Sequence, residues 1–318
     1  MKRPLTVSRL LTRGRPMRAL ALLFLLGGLP TCLYAQRSPL VRQWQEAHAY
    51  ICPAAIALSD EQRILGLYSY EERQSSLYGA MTDLPISLLG RQHGVGAGVM
   101  NSTRGLTSGT EFAARYAWLQ ELLGGRLQIG LEGVLARTAF DGARALEEGI
   151  TDPQLPTTKV EGKAFDLGLG LYWHGAGLSI GLSAQHLLGA EVYLTDRYQL
   201  HLPRSYSASI SYRLGQVSTG LSWEGSLLGI YHEGGGYRGD LGLRAWWRGR
   251  FVLGAVYRWD RAVGIQIGAS LSRLYLGYQG ELSTQDRGQL HHELLISYSF
   301  PLSRQRGKPQ HYKSVRLL

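Results

Sequence analysis

The sequence predicts an all-β fold, a transmembrane antiparallel β-barrel of about 14 strands, within a range of about 12 to 16. Three observations predict it: apolar residues that alternate with small or polar ones, predicted strands of about ten residues, and tight turns that alternate with longer connections. In such barrels the short turns lie at the periplasmic end and the longer loops at the extracellular end. The 318 residues are enough for one large barrel.

The alternation has a period of two. In the segment 165–173 the odd positions are Phe, Leu, Leu, Leu and Trp, and the even positions are Asp, Gly, Gly and Tyr; the segments 178–185, 263–271 and 293–300 alternate in the same way. Because successive side chains of a strand point to opposite faces, each strand has one apolar face and one small or polar face. The second face is rich in Gly and Ser instead of charges, which is typical of a crowded barrel lumen.

The strand lengths and connections indicate a membrane barrel. Strands of about ten residues suit a tilted crossing of a bilayer, whereas soluble proteins average about five or six. Connections after even strands are short, such as Gly90-Arg91, and those after odd strands are mostly longer, up to Asp141–Gly162 and Leu188–Pro203. This asymmetry places both termini on the periplasmic side. The fourteen predicted strands are 61–70, 79–89, 92–101, 108–118, 125–136, 163–173, 177–187, 204–213, 216–226, 236–247, 250–259, 262–271, 273–282 and 291–301.

Aromatic residues near the predicted strand ends have two interpretations. Rings at membrane-interface depth form girdles around barrels, and strands are also enriched in aromatic residues in general. The residues concerned are Tyr68, Tyr70, Tyr116, Trp118, Trp173, Trp223, Trp247, Trp259, Tyr298 and Phe300.

The first 35 residues have the composition of a secretory signal. The basic, acid-free start is followed by the apolar run Ala19–Leu29 and by a small residue at Ala35, so we expect cleavage after Ala35, with Met17 as an alternative start. Lipidation of Cys32 is the weaker alternative, because the small residue expected before a lipidated cysteine is missing. Cleavage would leave Cys52 as the only cysteine, and an intramolecular disulfide would then be impossible.

Two further segments lie outside the predicted barrel, which covers 61–301. Residues 36–60 mix apolar and polar side chains without alternation, and they are interpreted either as a periplasmic segment or as a plug inside the barrel. Residues 302–318 form a basic tail, either a solvated end or a periplasmic docking segment. The candidate docking residues of the tail are Arg304, Arg306, Lys308, Lys313 and Arg316.

The charge distribution argues against a nucleic-acid partner. The net charge is +10, but six of the 34 basic residues lie in the segment 1–35 and five in the tail. The rest of the chain has 23 basic and 24 acidic residues, so the barrel is close to neutral. No basic face remains that could neutralise phosphates.

Charged residues on the inner face are candidate functional residues. They could pair with one another and fill the barrel, or they could line an ion passage or a docking surface. The strand phases place Glu132, Asp166, Glu224, Asp240, Arg244, Arg258 and Glu281 in the lumen.

The sequence predicts no catalytic residue, cofactor or metal site, and therefore no enzyme. His291-His292-Glu293 is the densest cluster of potential ligands, but only His291 and Glu293 share a strand face, and a metal site needs more ligands. The serines of the strands alternate to the inner face with no histidine at a matching depth, so a nucleophile with its base is not supported.

Several motifs occur in the order of a known family. Cys52–Asp60 followed by Leu67–Gln74 resembles that family's opening "NPAYAGS…ALYRNQW". Phe165–Trp173 with Leu178–Leu188 resembles its "GFGLYY…GLSxxHL" pair, and His292–Phe300 resembles its terminal "HEIMLSYRF". The family is PorP/SprF, outer-membrane proteins of the type IX secretion system of Bacteroidetes, and the resemblance covers residues from about 50 to 318.

The resemblance implies location in the outer membrane and export of proteins with C-terminal type IX signals, including adhesins in gliding relatives. It implies contacts with outer-membrane lipid, with periplasmic ring or peptidoglycan-linked lipoproteins and with exported cargo, and it supplies no catalytic residue. The alternative function is a diffusion channel or a small-solute transporter of similar size, and a barrel enzyme is the third.

Overall fold

The computed structural model describes residues 41–71, 75–153, 155–215, 220–234, 236–259, 261–285 and 288–302. Fourteen antiparallel strands close into one barrel, which confirms the predicted fold class. The barrel strands are β1 Glu61–Glu71, β2 Ser75–Leu88, β3 Arg91–Arg104, β4 Thr107–Leu122, β5 Gly125–Asp141, β6 Lys159–Gly175, β7 Leu178–Gln185, β10 Ser205–Leu214, β11 Leu221–His232, β12 Gly236–Trp247, β13 Phe251–Arg258, β14 Ala262–Leu271, β15 Leu274–Ser283 and β16 Leu290–Pro301.

The remaining elements are small. A separate two-stranded sheet consists of β8 Glu191–Tyr193 and β9 Gln199–His201, inserted between β7 and β10. The two short helices are α1 His48–Ile51 and α2 Gly142–Glu147. Within the described ranges, no helix is long and apolar enough to span a bilayer.

The strands β4, β5 and β6 are longer than predicted, with 16, 17 and 17 residues. Their additional residues continue the backbone pairing, for example Arg137 opposite Lys163 and Ala139 opposite Glu161. The apolar alternation ends before the pairing does, since Arg137 and Glu161 form an exposed ion pair at these ends, and a pattern-based boundary therefore comes too early. The predicted strand 216–226 begins later, at Leu221, and residues 216–219 lie outside the described ranges.

Closure pairs β1 with β16, with Glu61 opposite Pro301, so the first and last strands start and finish at the same end of the barrel. Most turns at this end are tight, and Leu89-Gly90 and Leu123-Gly124 have positive φ at both residues. Such turns match the right-handed twist of the flanking strands. The β10–β11 connection, residues 215–220, is longer. We call this end of the barrel the tight-turn end.

The opposite end, the loop end, carries the longer connections. The β5–β6 connection contains α2, and the β7–β10 connection contains β8 and β9. A small apolar cluster of Phe140, Ala145, Val192 and Leu194 packs the two together. Other connections at this end are short: two residues separate β3 from β4, and three residues separate β1 from β2, β11 from β12 and β13 from β14.

The two faces of the wall have opposite polarity. Away from the strand ends the exposed outer positions are mostly apolar, with Leu253 at 65% and Ile265 at 61% exposure, whereas Gln128, Gln266 and Gln279 are fully buried on the inner face. A soluble protein has the reverse arrangement. A closed ladder leaves no strand edge with unpaired backbone groups, and an apolar exterior suits contact with lipid. These are the two properties that a membrane-spanning β-barrel needs.

Candidate functional site: the inserted segment and the charged lumen

Residues 41–58, which we call the inserted segment, lie inside the barrel. Ala54, Ile56 and Ala57 have no exposed surface, and Trp44 is 1% exposed between side chains of β11. The residues of this segment therefore pack against the inner face of the barrel wall.

The inserted segment runs along the lumen from one end to the other. At the loop end, the carbonyl of Val41 accepts a hydrogen bond from Arg238, 3.5 Å away. At the tight-turn end, the N–H of Ala57 donates to Asp83 Oδ1 at 2.8 Å. The described chain thus begins at the loop end and finishes with Leu302 at the tight-turn end. The predicted periplasmic position of the N-terminus concerns residues before Val41, outside the described ranges.

Polar side chains of the wall satisfy the backbone of the inserted segment. Glu293 accepts hydrogen bonds from the N–H groups of Arg42 (2.8 Å) and Gln43 (2.6 Å). Ser183 Oγ donates to the carbonyl of Ile51 at 2.7 Å. A buried peptide group outside a regular element needs such partners. The polar residues of the inner face therefore serve as the counterpart of a second chain segment.

Glycines on the inner face of the wall make room for the backbone of the inserted segment. A Cβ at Gly170 would lie 2.8 Å from the backbone nitrogen of Ala54 and 2.9 Å from the Sγ of Cys52. A Cβ at Gly130 would overlap the backbone of Ala54, and one at Gly94 would lie 3.0 Å from the Cβ of Ala57. The glycine-rich inner face is thus shaped to the inserted segment.

We expect Gly130→Val to displace the inserted segment near Ala54 and to lower the free energy of unfolding by about 1–3 kcal/mol, the usual cost of overpacking. The readout is the labelling rate of Cys52, which is 2% exposed and should react much faster in the variant. The matched control is Gly133→Val on the same strand, where an added Cβ meets only the Phe165 ring at 3.5 Å. Equal labelling of the two variants would contradict the close fit.

A cluster of buried charges lies at the loop end. Arg258 donates to both oxygens of Glu281, at 2.6 and 2.9 Å, and to Asp240 at 3.0 Å. Arg238 also pairs with Asp240, and Arg42 of the inserted segment lies 3.3 Å from Glu281. The loop-end cluster thus joins three wall strands to the inserted segment.

A second charged group lies nearer the tight-turn end. Glu224 pairs with Arg244 and, at 2.5 Å, with Arg213. Arg244 also donates to Glu46 of the inserted segment at 2.7 Å. The guanidinium groups of both arginines lie over the Trp246 ring, which adds cation–π contacts.

The remaining predicted lumen charges have different partners. Glu132 lies 2.5 Å from Arg115. Asp166 accepts hydrogen bonds from backbone N–H groups, including Leu188 at 2.9 Å and Ala190 at 3.2 Å, and so holds the start of the β7–β10 connection. Glu132 and Arg115 border a cavity of about 90 Å³ between the wall and the inserted segment.

All seven predicted lumen charges are buried, from 0% exposure for Asp166 to 9% for Arg258. Six have a partner of opposite charge within the described residues, and Asp166 is bound by N–H groups. The tail residues Arg304, Arg306, Lys308, Lys313 and Arg316 lie outside the described ranges.

Sequence reasoning missed the partners of these charges. The strand period was sufficient to place Arg238 on the same face as Asp240, two residues away, and Glu293 on the inner face. Arg42 and Glu46 had no such signal, because the segment that carries them has no periodicity.

The histidine cluster does not assemble into a metal site. His291 Nδ1 lies 3.6 Å from Glu71, whereas His292 Nδ1 faces the hydroxyl of Tyr278 at 2.8 Å. Among the residues that the structure describes, no group of three His, Cys, Asp or Glu side chains is placed to hold a metal ion.

A family model described as "Type IX secretion system membrane protein PorP/SprF" matches residues 33–298. No curated protein matches the sequence significantly. Among solved structures, the toluene transporter TbuX of Ralstonia pickettii is similar, with a TM-score of 0.48 and 12% identity over 80% of this chain and 93% of that chain. The outer membrane protein Omp33 of Acinetobacter baumannii has a TM-score of 0.47 and 7% identity, covering 77% of this chain and 100% of that chain.

Proposed function

The chain belongs to the PorP/SprF family of type IX secretion system membrane proteins, and we propose that it supports the export of proteins with C-terminal secretion signals through protein–protein contacts. The family match and the closed barrel make it an outer-membrane component of this system. The observation that carries the proposal is the family match together with a lumen occupied by the inserted segment. Because this segment runs along the lumen from one end to the other, we infer that the barrel acts through its surfaces.

The tight-turn end is proposed to face the periplasm. The support is the difference between the two ends, with tight turns at one and the α2 and β8–β9 connections at the other. Strand β16 ends there, so the tail 302–318 starts on the same side, next to Glu61. Its five basic residues are suited to an acidic surface on a periplasmic ring or peptidoglycan-linked lipoprotein.

The proposed function predicts that a strain lacking this protein loses secretion of signal-bearing cargo to background level, measured by immunoblots of the medium and the cell surface. The full chain restores secretion, and a chain that ends at Leu302 restores much less. If the deletion strain secretes its cargo normally, the proposed function is wrong.

The role of the tail is tested separately by replacing its five basic residues with glutamine. We expect loss of co-purification with periplasmic components while the barrel still folds, as shown by its heat-dependent gel mobility. Unchanged co-purification would show that the basic residues of the tail are not needed for these contacts. It would not contradict the proposed role of the protein in secretion.

A further inference from the structure

The outer wall contains a depression of about 980 Å³ that crosses six strands, from β13 through the closure between β16 and β1 to β2. Barrel exteriors are normally convex, so a hollow of this size requires small residues. Gly66 and Ala80 form its floor, directly opposite each other on β1 and β2. Elsewhere on the outer face these positions carry mostly Leu, Ile or an aromatic residue. We call this hollow the seam groove.

The seam groove is bordered by large side chains. Ile296 lies opposite Gly66 on β16 and Leu276 opposite Ile296 on β15, so these two side chains stand beside the floor in the same cross-strand row. Tyr68 and Tyr78, which oppose each other, form one border, and Phe251 lies at the far end. Five strand spacings give the groove a length of about 24 Å across the strands.

The wall behind the groove is apolar on its inner face as well. Leu65, Leu67 and Leu295 are buried there against Val41 and Ala47 of the inserted segment. Most other sectors of the inner face carry Gln, Ser or charged residues. The floor is therefore supported by packed apolar side chains, which hold the hollow open and keep water away from it.

The shortage of polar atoms in the lining of the seam groove indicates what kind of molecule binds there. Tyrosine hydroxyls are the only polar side-chain atoms among the lining residues, and that of Tyr278 is already paired with His292 at 2.8 Å. A protein interface of ordinary size has about one hydrogen bond per 100–200 Å². The lining of the groove has too few hydrogen-bonding groups for such an interface. An acyl chain needs apolar contact alone, and lipid surrounds this wall.

We propose that the seam groove retains a phospholipid whose acyl chain lies over Gly66 and Ala80. The chain fills the hollow between the two tyrosines and Phe251, and its headgroup reaches the interface at one end of the groove. This lipid is bound at a defined site, unlike the exchanging lipid on the convex remainder of the wall.

The test is native mass spectrometry of the full chain after incubation with phosphatidylethanolamine vesicles and transfer to detergent. We expect one retained lipid per chain. In the double variant Gly66→Leu with Ala80→Leu, retention should fall about tenfold or more, because displacing even two buried methylene groups costs this factor.

The control is Gly229→Leu with Ala208→Leu, since these residues also oppose each other, on β11 and β10. An added Cβ at Gly229 meets only a carbonyl oxygen at 4.0 Å, and one at Gly66 meets Ile296 at 3.4 Å, so neither change is blocked. If the first variant fails to fold, Ala269→Phe fills the groove from β14. Equal retention in filled and control variants, no retained lipid in the unaltered chain, or a second protein in place of the lipid would each overturn the proposal.

Discussion

Replacing Glu281 by glutamine will lower the free energy of unfolding by about 3–5 kcal/mol, the range seen when one partner of a buried ion pair is removed. Glu281 is 1% exposed and accepts hydrogen bonds from Arg258 and Arg42. Without its charge, two guanidinium groups remain in a lumen with fewer anionic partners. Urea-dependent unfolding, followed by heat-dependent gel mobility, measures the loss.

A matched control is Glu148→Gln, which removes the partner of Arg144 in an ion pair of 2.9 Å whose side chains are about 40% exposed. This change should cost at most about 0.5 kcal/mol, because water screens the pair. A third variant, Arg258→Met with Glu281→Met, should recover most of the loss, since both members of the pair are replaced together. A Glu281 variant as stable as the control would show that the loop-end cluster contributes nothing.

Deleting residues 41–58 will convert the closed barrel into a conducting pore. The inserted segment spans the lumen, with anchors at Glu293 near one end and Asp83 near the other. A barrel of 14 strands lies between the small barrels that side chains fill and the 16-stranded porins that enclose a channel. Without the segment, a lumen lined by Glu, Gln, Ser and Arg would hydrate, and planar bilayers should show stepwise ion conductance.

The full chain should show no such steps, and neither should Gln45→Ala, which removes one hydrogen bond, of 3.2 Å, from the inserted segment to Ser226. Steady conductance of the full chain would instead favour the diffusion-channel alternative. A deletion variant that folds and stays closed would show that the segment is not what occludes the lumen.

The family and the fold were both readable from the chain. The alternation in 165–173 defines which side chains share a face, and the seven charges on the predicted inner faces are buried residues of the strands. These are local properties, because a strand's period of two depends only on its own backbone. The ends of β4, β5 and β6 were less predictable, since pairing continues after the apolar pattern stops.

The sequence alone determined that the chain is an antiparallel membrane barrel, which face of each strand is apolar, and where most turns lie. Only the tertiary structure decided what fills the lumen, because residues 41–58 have no periodicity and their partners lie up to 251 residues away. It also decided that Arg258 joins Asp240 to Glu281, and that Gly66 meets Ala80 in one groove. The physical reason is that local alternation sets the direction of a side chain, whereas its neighbours depend on the register between strands and on barrel closure.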